Sequence, residues 1–324
     1  MKVFVTGGSG VIGSYLVPEL VERGHEVVAT TTTPAKEATL QAWGAQSAVL
    51  DVLERDEVVR VVEEARPDVV VHQATALSGE LSLRRFDASF ARTNRLRTEG
   101  LDNVIRAAVA AGARRLVAQS FTGWPNERRG GTVKTEDDPL DADPPSSARA
   151  TLAALRALEG RVTSCGEVAG VVLRYGTLYG PGTALGPGGD VLKAVGRGRM
   201  PLVGSGAGVW SFLHVRDMAR ATAAAVEGAD AGIYNIVDDE PAPVAEWLPY
   251  LAKVLGARRP RRVPTWVARL VIGEQGVAMM VEMRGSSNEK AKRELGWSPL
   301  YASWRDGFAS GLDDTGRNAR PLAA

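Results

Sequence analysis

The residue types best suited to chemistry in this 324-residue chain are concentrated near its start, in Thr6-Gly7-Gly8-Ser9-Gly10-Val11-Ile12-Gly13. The stretch follows the apolar run Val3-Phe4-Val5 and opens a helical pattern, so it reads as a strand-to-helix turn. Gly7, Gly8 and Gly10 permit a tight turn and let the backbone approach a pyrophosphate. Gly13 lets helix and strand pack closely, and a helix beginning at Val11-Ile12 turns its N-terminal dipole toward an anion. These residues and Ser9 therefore predict dinucleotide binding. At the end of the second strand an acidic side chain would bind the adenosine ribose of NAD, but this chain has Thr30-Thr31-Thr32-Thr33 with Lys36 nearby. Threonine hydroxyls can donate to a 2′-phosphate and Lys36 can supply charge. Thr31, Thr32 and Lys36 thus favour NADP(H), with NAD(H) as the alternative.

Other chemistries are poorly supplied. The single Cys165 allows no internal disulfide and has no partner histidine, and His25, His72 and His214 are scattered, so no metal site is expected. Arg258-Arg259-Pro260-Arg261-Arg262 lacks an aromatic platform, and 39 basic against 38 acidic residues leave a net charge of +1, which argues against nucleic acid as a partner. The opening MKVFVTGG is strand-like, and no apolar run approaches about 18 residues; a cytoplasmic protein without a membrane partner is the expectation.

Positioning these residues requires a particular scaffold. Short apolar runs at 3–5, 27–29, 48–50, 69–71 and 116–118 alternate with helical patterns at 11–23, 35–43, 55–65 and 88–111, and Val168–Leu173 adds a further run. Continuous apolar strands alternating with helices predict an α/β fold, a doubly wound parallel sheet of the Rossmann type. After Leu173 the pattern loosens into GTLYGPGTALGPGG, with short helices expected near 190–197 and 288–295. The expected division is a dinucleotide-binding domain at 1–174 plus about 208–237, and a smaller, interleaved substrate domain at 175–207 and 238–324. Residues 123–147, rich in turn formers and charge, are expected to form a lid over the site, and 313–324 a frayed tail.

With these features in place, the chain resembles the extended short-chain dehydrogenase/reductase family, the NAD-dependent epimerase/dehydratase type. Asp51-Val52 resembles the adenine-contacting pair, His72-Gln73-Ala74-Thr75-Ala76 the segment lining the nicotinamide ribose, and Asn94 falls in its usual helix. Gln119-Ser120-Phe121-Thr122 matches the end of the fifth strand. Leu173–Gly182 resembles the "LR…YGPG" segment and Phe212–Asp217 resembles "FxHVxD"; Tyr234-Asn235-Ile236 and Glu294–Pro299 complete the series. The resemblance implies cofactor contacts at Asp51, Val52, Gln73, Ala74, Thr75, Asn94 and Ser120. It also implies a homodimer formed through helices 88–111 and 148–160.

The family's catalytic Tyr-x-x-x-Lys pair is absent: no tyrosine of this chain is followed four residues later by lysine. On the helix expected to carry it, the two places fall on Thr151 and Leu155. Thr122 matches the residue that orients the substrate oxygen. Tyr179, His214 and Lys134 are the substitutes for the missing acid, with Tyr175 and Glu136 behind them, and each also has a plain packing or loop explanation. Where nucleotide-sugar members carry Asn and Arg, this chain has Thr177 and Val209-Trp210; the substrate pocket is expected around Thr75, Tyr175, Thr177 and Trp210. The implied activity is that of an NAD(P)-dependent oxidoreductase acting on a small or medium carbonyl or alcohol metabolite with a non-standard proton donor. The alternatives are an epimerase/dehydratase of the sugar type and a non-catalytic NADP(H)-binding sensor or scaffold.

Overall fold

The structure is a computed structural model that describes residues 1–77 and 81–313. Seven strands form its central sheet: β1 (Lys2–Thr6), β2 (Glu26–Thr31), β3 (Gln46–Val49), β4 (Val69–His72), β5 (Arg115–Phe121), β6 (Ala169–Tyr175) and β7 (Gly232–Ile236). Their order is β7-β6-β5-β4-β1-β2-β3, with every neighbour parallel. Parallel strands need crossovers, and right-handed helical crossovers cover both faces. The chain builds outward from β1 in both directions, so the loop after β1 lies at the point where strand order reverses, the place where such sheets receive ligands.

The helices are α1 (Val11–Glu22), α2 (Glu37–Ala42), α3 (Arg55–Ala65), α4 (Phe86–Arg95), α5 (Leu101–Ala110), α6 (Arg149–Thr163), α7 (Asp190–Gly196), α8 (Val215–Gly228), α9 (Val244–Val254), α10 (Thr265–Val281) and α11 (Glu289–Leu295). On one face of the sheet Leu16, Val17 and Leu20 of α1 meet Met218, Ala221 and Val226 of α8. On the other, Val58 and Val62 of α3, Val104 and Ala107 of α5 and Leu158 of α6 pack together. The expected single helix at 88–111 is interrupted: a π turn, Leu96–Gly100, separates α4 from α5.

A second core lies beyond the sheet. Trp210, Phe212 and Trp247 join Tyr179, Trp304 and Phe308, and Phe86, Phe90 and Trp124 close it from the first half of the chain. Four short pairings hold this part together: Thr177–Tyr179 parallel to Phe212–His214, Val209-Trp210 antiparallel to Ala242-Pro243, Leu202-Val203 parallel to Arg262-Val263, and Val133-Lys134 parallel to Gly285-Ser286. Val209, Trp210 and Phe212 belong to this second core, whereas Leu213 and the helix that follows pack with the sheet. The stretch 123–147 is more tightly bound than its composition suggests. Besides the Val133-Lys134 pairing, Arg128 bonds Asp141 and Glu282, and Arg284 bonds the Arg128 carbonyl. The expected tail, from residue 314 on, lies outside the described residues.

Candidate functional site

The glycine loop is shaped by its own packing. Gly7 has φ +73, and a Cβ there would fall 2.8 Å from Ala74 Cα. A Cβ at Gly13 would lie 2.0 Å from the Gly8 carbonyl oxygen, and one at Gly8 would lie 2.8 Å from Ala29 Cβ of β2. Gly10 differs: a Cβ there would meet only the Gly7 carbonyl, at 3.5 Å. The three outer glycines are filled in by protein, and the one that caps α1 is left open on its ligand side. That is the cradle a pyrophosphate requires. The Thr30 hydroxyl accepts from the Gly7 N–H at 3.3 Å and the Thr31 and Ser9 hydroxyls bond each other at 2.8 Å, so β2 braces the loop. Val11 and Ile12 open α1 at that end. Thr31 is buried, while Thr32, Thr33 and Lys36 are exposed beside the loop.

The end of β4 supplies the opposite wall. His72 donates from Nε2 to the Leu96 carbonyl and shares a hydrogen bond between Nδ1 and the Thr6 hydroxyl, which a neutral imidazole accepts. Burial pushes its pKa down to about 4. Gln73 donates to the Tyr175 hydroxyl at 2.9 Å, leaving its own Oε1 without a partner. Ala74 abuts Gly7, and Thr75 is exposed. Asp51 bonds the Leu53 N–H and pairs with Arg92; Val52 is buried against Gly100.

The start of α6 carries no acid. Thr151 is fully buried, and its hydroxyl donates to Asp87 Oδ1 at 2.6 Å while accepting from Asn94 Nδ2 at 3.1 Å. The Asp87 carboxylate also accepts the N–H groups of Ala150 and Thr151, capping the helix. Leu155, one turn on, is fully buried in the second core. Asn94 is therefore committed to α6, with its Oδ1 left unsatisfied.

Several side chains singled out by sequence are occupied elsewhere. Ser120 points away from the loop: its hydroxyl bonds Glu159, which holds a buried two-pronged pair with Arg174 between β5, β6 and α6. Successive residues of a strand face opposite sides, which turns Ser120 toward α6. Thr122, 1% exposed, bonds the Ser286 hydroxyl at 2.6 Å and donates to Asn126 Oδ1 at 3.3 Å. It fastens the end of β5 to the segment Arg284–Ser286. Tyr175 is fully buried, its hydroxyl shared between Gln73 and Thr222, and burial pushes its pKa up to about 12. Tyr179 is packed among Phe212, His214 and Phe308, with its hydroxyl against Gly307, and burial drives its pKa far upward. His214 donates from Nε2 to the Gly311 carbonyl and accepts the Arg216 N–H at Nδ1. Lys134 donates to the Arg129 carbonyl and Asp138, and Glu136 accepts the Asn235 N–H. Trp210 donates to the Met279 carbonyl within the second core, and Thr177 sits half-buried in its short strand. Among the described residues no group of three potential ligands could hold a metal, and no helix is long and apolar enough to cross a membrane.

A model of the NAD dependent epimerase/dehydratase family matches residues 3–237. The chain belongs to that family. It is 46% identical over 313 residues, 95% of this chain and 99% of the relative, to the 3-diazoavenalumate denitrifying reductase of a Streptomyces species. A second relative, the 2-alkyl-3-oxoalkanoate reductase of Stenotrophomonas maltophilia, is 29% identical and covers 92% of this chain and 95% of its own. Among solved structures, the UDP-glucose 4-epimerase of Thermus thermophilus in complex with NAD is similar with a TM-score of 0.70, 26% identity, and coverage of 95% of this chain and 97% of that one. As a member of this family the chain is an NAD(P)-dependent oxidoreductase of the extended short-chain dehydrogenase type. Its glycine loop, switch-point position and open Gly10 fit the dinucleotide.

One charged side chain in this region escaped the sequence reading. Arg97, in the π turn, is 4% exposed. The signal was available: Phe86, Phe90, Thr93 and Arg97 share one helical face, and the first three are buried.

Proposed function

We propose that the chain is an NADP(H)-dependent reductase that replaces the diazo group of a small or medium-sized molecule, an arenediazonium or quinone diazide by class, with hydrogen. The observation that carries this reading is the start of α6, where Thr151 and Leu155 are sealed into packing and a helix cap and offer no acid to a substrate. A ketone that takes up hydride becomes an alkoxide and needs a proton at once, which is the task of a phenol assisted by lysine. A diazonium carbon has no such need. As the new C–H bond forms, the C–N bond breaks and its electron pair leaves with dinitrogen; an arenediazonium and a hydride give an arene and N2 with charge balanced. With an arenediazonium no oxyanion develops; a quinone diazide leaves a phenolate, stable enough to take its proton from water after the hydride has moved, so neither requires a resident acid. The 46% identical relative is named for this kind of conversion.

The dinucleotide, when bound, supplies the hydride. Gly7, Gly8, Gly10 and the N-terminus of α1 hold its pyrophosphate. The exposed Thr32, Thr33 and Lys36 would receive a 2′-phosphate, at a strand end that carries threonines in place of an acidic residue. Gln73 and Ala74 would flank the nicotinamide ribose, and Thr122 steadies the neighbouring wall by bonding Ser286. A single cysteine, Cys165, accords with a cytoplasmic enzyme.

The second reading is reduction of a carbonyl group, favoured by the relative that reduces 2-alkyl-3-oxoalkanoates. It requires Thr122 to leave Ser286 and bond the substrate oxygen. The test is to offer the purified protein NADPH with an arenediazonium, a quinone diazide and a 3-oxoalkanoate, following NADPH oxidation and N2 release and locating deuterium from stereospecifically labelled cofactor. Label on the former diazo carbon with equimolar N2 is expected. Turnover of the oxo acid alone, lost in Thr122→Val, would decide for the carbonyl reading.

A further inference from the structure

The Arg97 side chain has neither an ion pair nor a hydrogen bond among the described residues: its guanidinium lies over the ring of Phe90, a cation–π contact, and Nη1 is buried without a hydrogen-bond partner. Unpaired cations are costly to bury, and a fold that keeps one at the edge of a ligand site has reserved it for something that arrives later. Burial pulls its pKa down only to about 10, so it stays charged at neutral pH.

Its direction follows from the helix. α4 begins beyond the C-terminal end of β4 and runs back along the sheet, and helical side chains lean toward the helix N-terminus. The guanidinium carbon lies 5.6 Å from the ring centroid of Phe90, seven residues earlier, so the side chain reaches back toward the strand ends. His72, the last residue of β4, feels its charge, and Gln73 and Ala74 follow directly. Two unsatisfied oxygens, Gln73 Oε1 and Asn94 Oδ1, belong to the same region. The π turn that carries Arg97 packs against α6, where Leu155 brings no charge. Single π turns inside helices often mark functional positions.

We propose that Arg97 is the resident cation at the nicotinamide end of the site, its N–H groups holding the ribose hydroxyls and its charge favouring the neutral, reduced nicotinamide over the cationic, oxidised one. This rests on the dinucleotide reading above and adds a direction to it. A fixed positive charge in a poorly solvated pocket makes NADPH the better ligand than NADP+, so the free enzyme loads with the reduced cofactor and releases the oxidised one readily, while the bound NADPH becomes a somewhat weaker hydride donor.

Affinities for NADPH and NADP+ are to be measured by calorimetry on the wild type, Arg97→Met and Arg97→Lys, with thermal melts alongside. The wild type is expected to prefer NADPH by at least about tenfold. Arg97→Met, which keeps the length and removes the charge, should weaken NADPH about tenfold and abolish most of the preference, whereas Arg97→Lys retains it. The melting temperature of Arg97→Met should not fall, since an unpaired buried charge has been replaced by an apolar chain. Equal wild-type affinities for the two forms would overturn the proposal without any variant. So would an unchanged preference in folded Arg97→Met, or a rise in KM for a phenolate or carboxylate substrate with both dinucleotide affinities intact, which would assign the guanidinium to the substrate. If the wild type bound neither dinucleotide, the cofactor reading itself would fall, an outcome distinct from these.

Discussion

The loop after β1 and the first turns of α6 are built from different materials. In the loop, main-chain geometry does everything: Gly7 turns left-handed against Ala74, Gly13 presses on the Gly8 carbonyl, and Gly10 stays open. In α6 the outcome depends on side chains brought from elsewhere, for Thr151 is held by Asp87, 64 residues away in sequence, and by Asn94. The loop keeps the features that a dinucleotide demands, while the helix holds a cap where the resemblance to the family leads one to expect an acid. A hydride-transfer enzyme can lose its acid and keep its cofactor if its substrate releases a neutral gas instead of forming an alkoxide.

Gly13→Val is the severest way to break the first half of this comparison. The added carbon would sit 2.0 Å from the Gly8 oxygen, and NADPH affinity should fall by about a hundredfold or more as loop and helix separate, measurable by tryptophan-to-nicotinamide energy transfer. The next effect concerns the wall beside the loop. His72 is neutral in the fold, with its pKa at about 4 against the usual 6.5. Between those values the unfolded chain takes up a proton that the native state refuses, so stability falls as pH is lowered through that window, by about 3 kcal/mol in all. Urea melts at pH 7, 5.5 and 4.5 should show the decline, and His72→Gln should flatten it.

Asp87→Ala sharpens the second half. Removing the cap of α6 should cost about 1–2 kcal/mol in a urea melt, while NADPH affinity stays within about twofold of wild type, in contrast to the glycine variant. The smallest effect is at Lys36→Ala: loss of an exposed charge beside the loop should weaken NADPH about three- to tenfold and leave NADH unchanged. Equal losses for the two cofactors would remove Lys36 from the phosphate site.

The same contrast explains what could be read from the sequence. Alternating apolar runs and helical patterns announce a doubly wound sheet, and Thr6–Gly13 announces its ligand, because strand burial and glycine geometry are local properties. Thr122, Ser120 and Tyr175 stand out by position alone, and position does not reveal that Ser286, Glu159 and Thr222 bond them. Trp210 likewise reads as a pocket wall until Trp247 is seen beside it. Residues 123–147 look like a lid because turn formers dominate, and nothing local signals the pairing with Gly285-Ser286. Arg97 was missed because a lone arginine within a charged helix draws no notice until its helical face is drawn.

That pairing also imposes a timetable on biosynthesis. Strands β1 to β5, with the glycine loop and the end of β4, are complete once the first 121 residues exist, and they can form a sheet as the chain emerges. The second core needs Phe86 and Phe90 to wait for Trp304, Phe308 and Leu312, and Thr122 to wait for Ser286. Contacts so distant in sequence form late and slowly. A growing chain thus exposes Phe86, Phe90 and Trp124 from the moment they are made until Trp304, Phe308 and Leu312 arrive, the interval in which its apolar surface is open to aggregation.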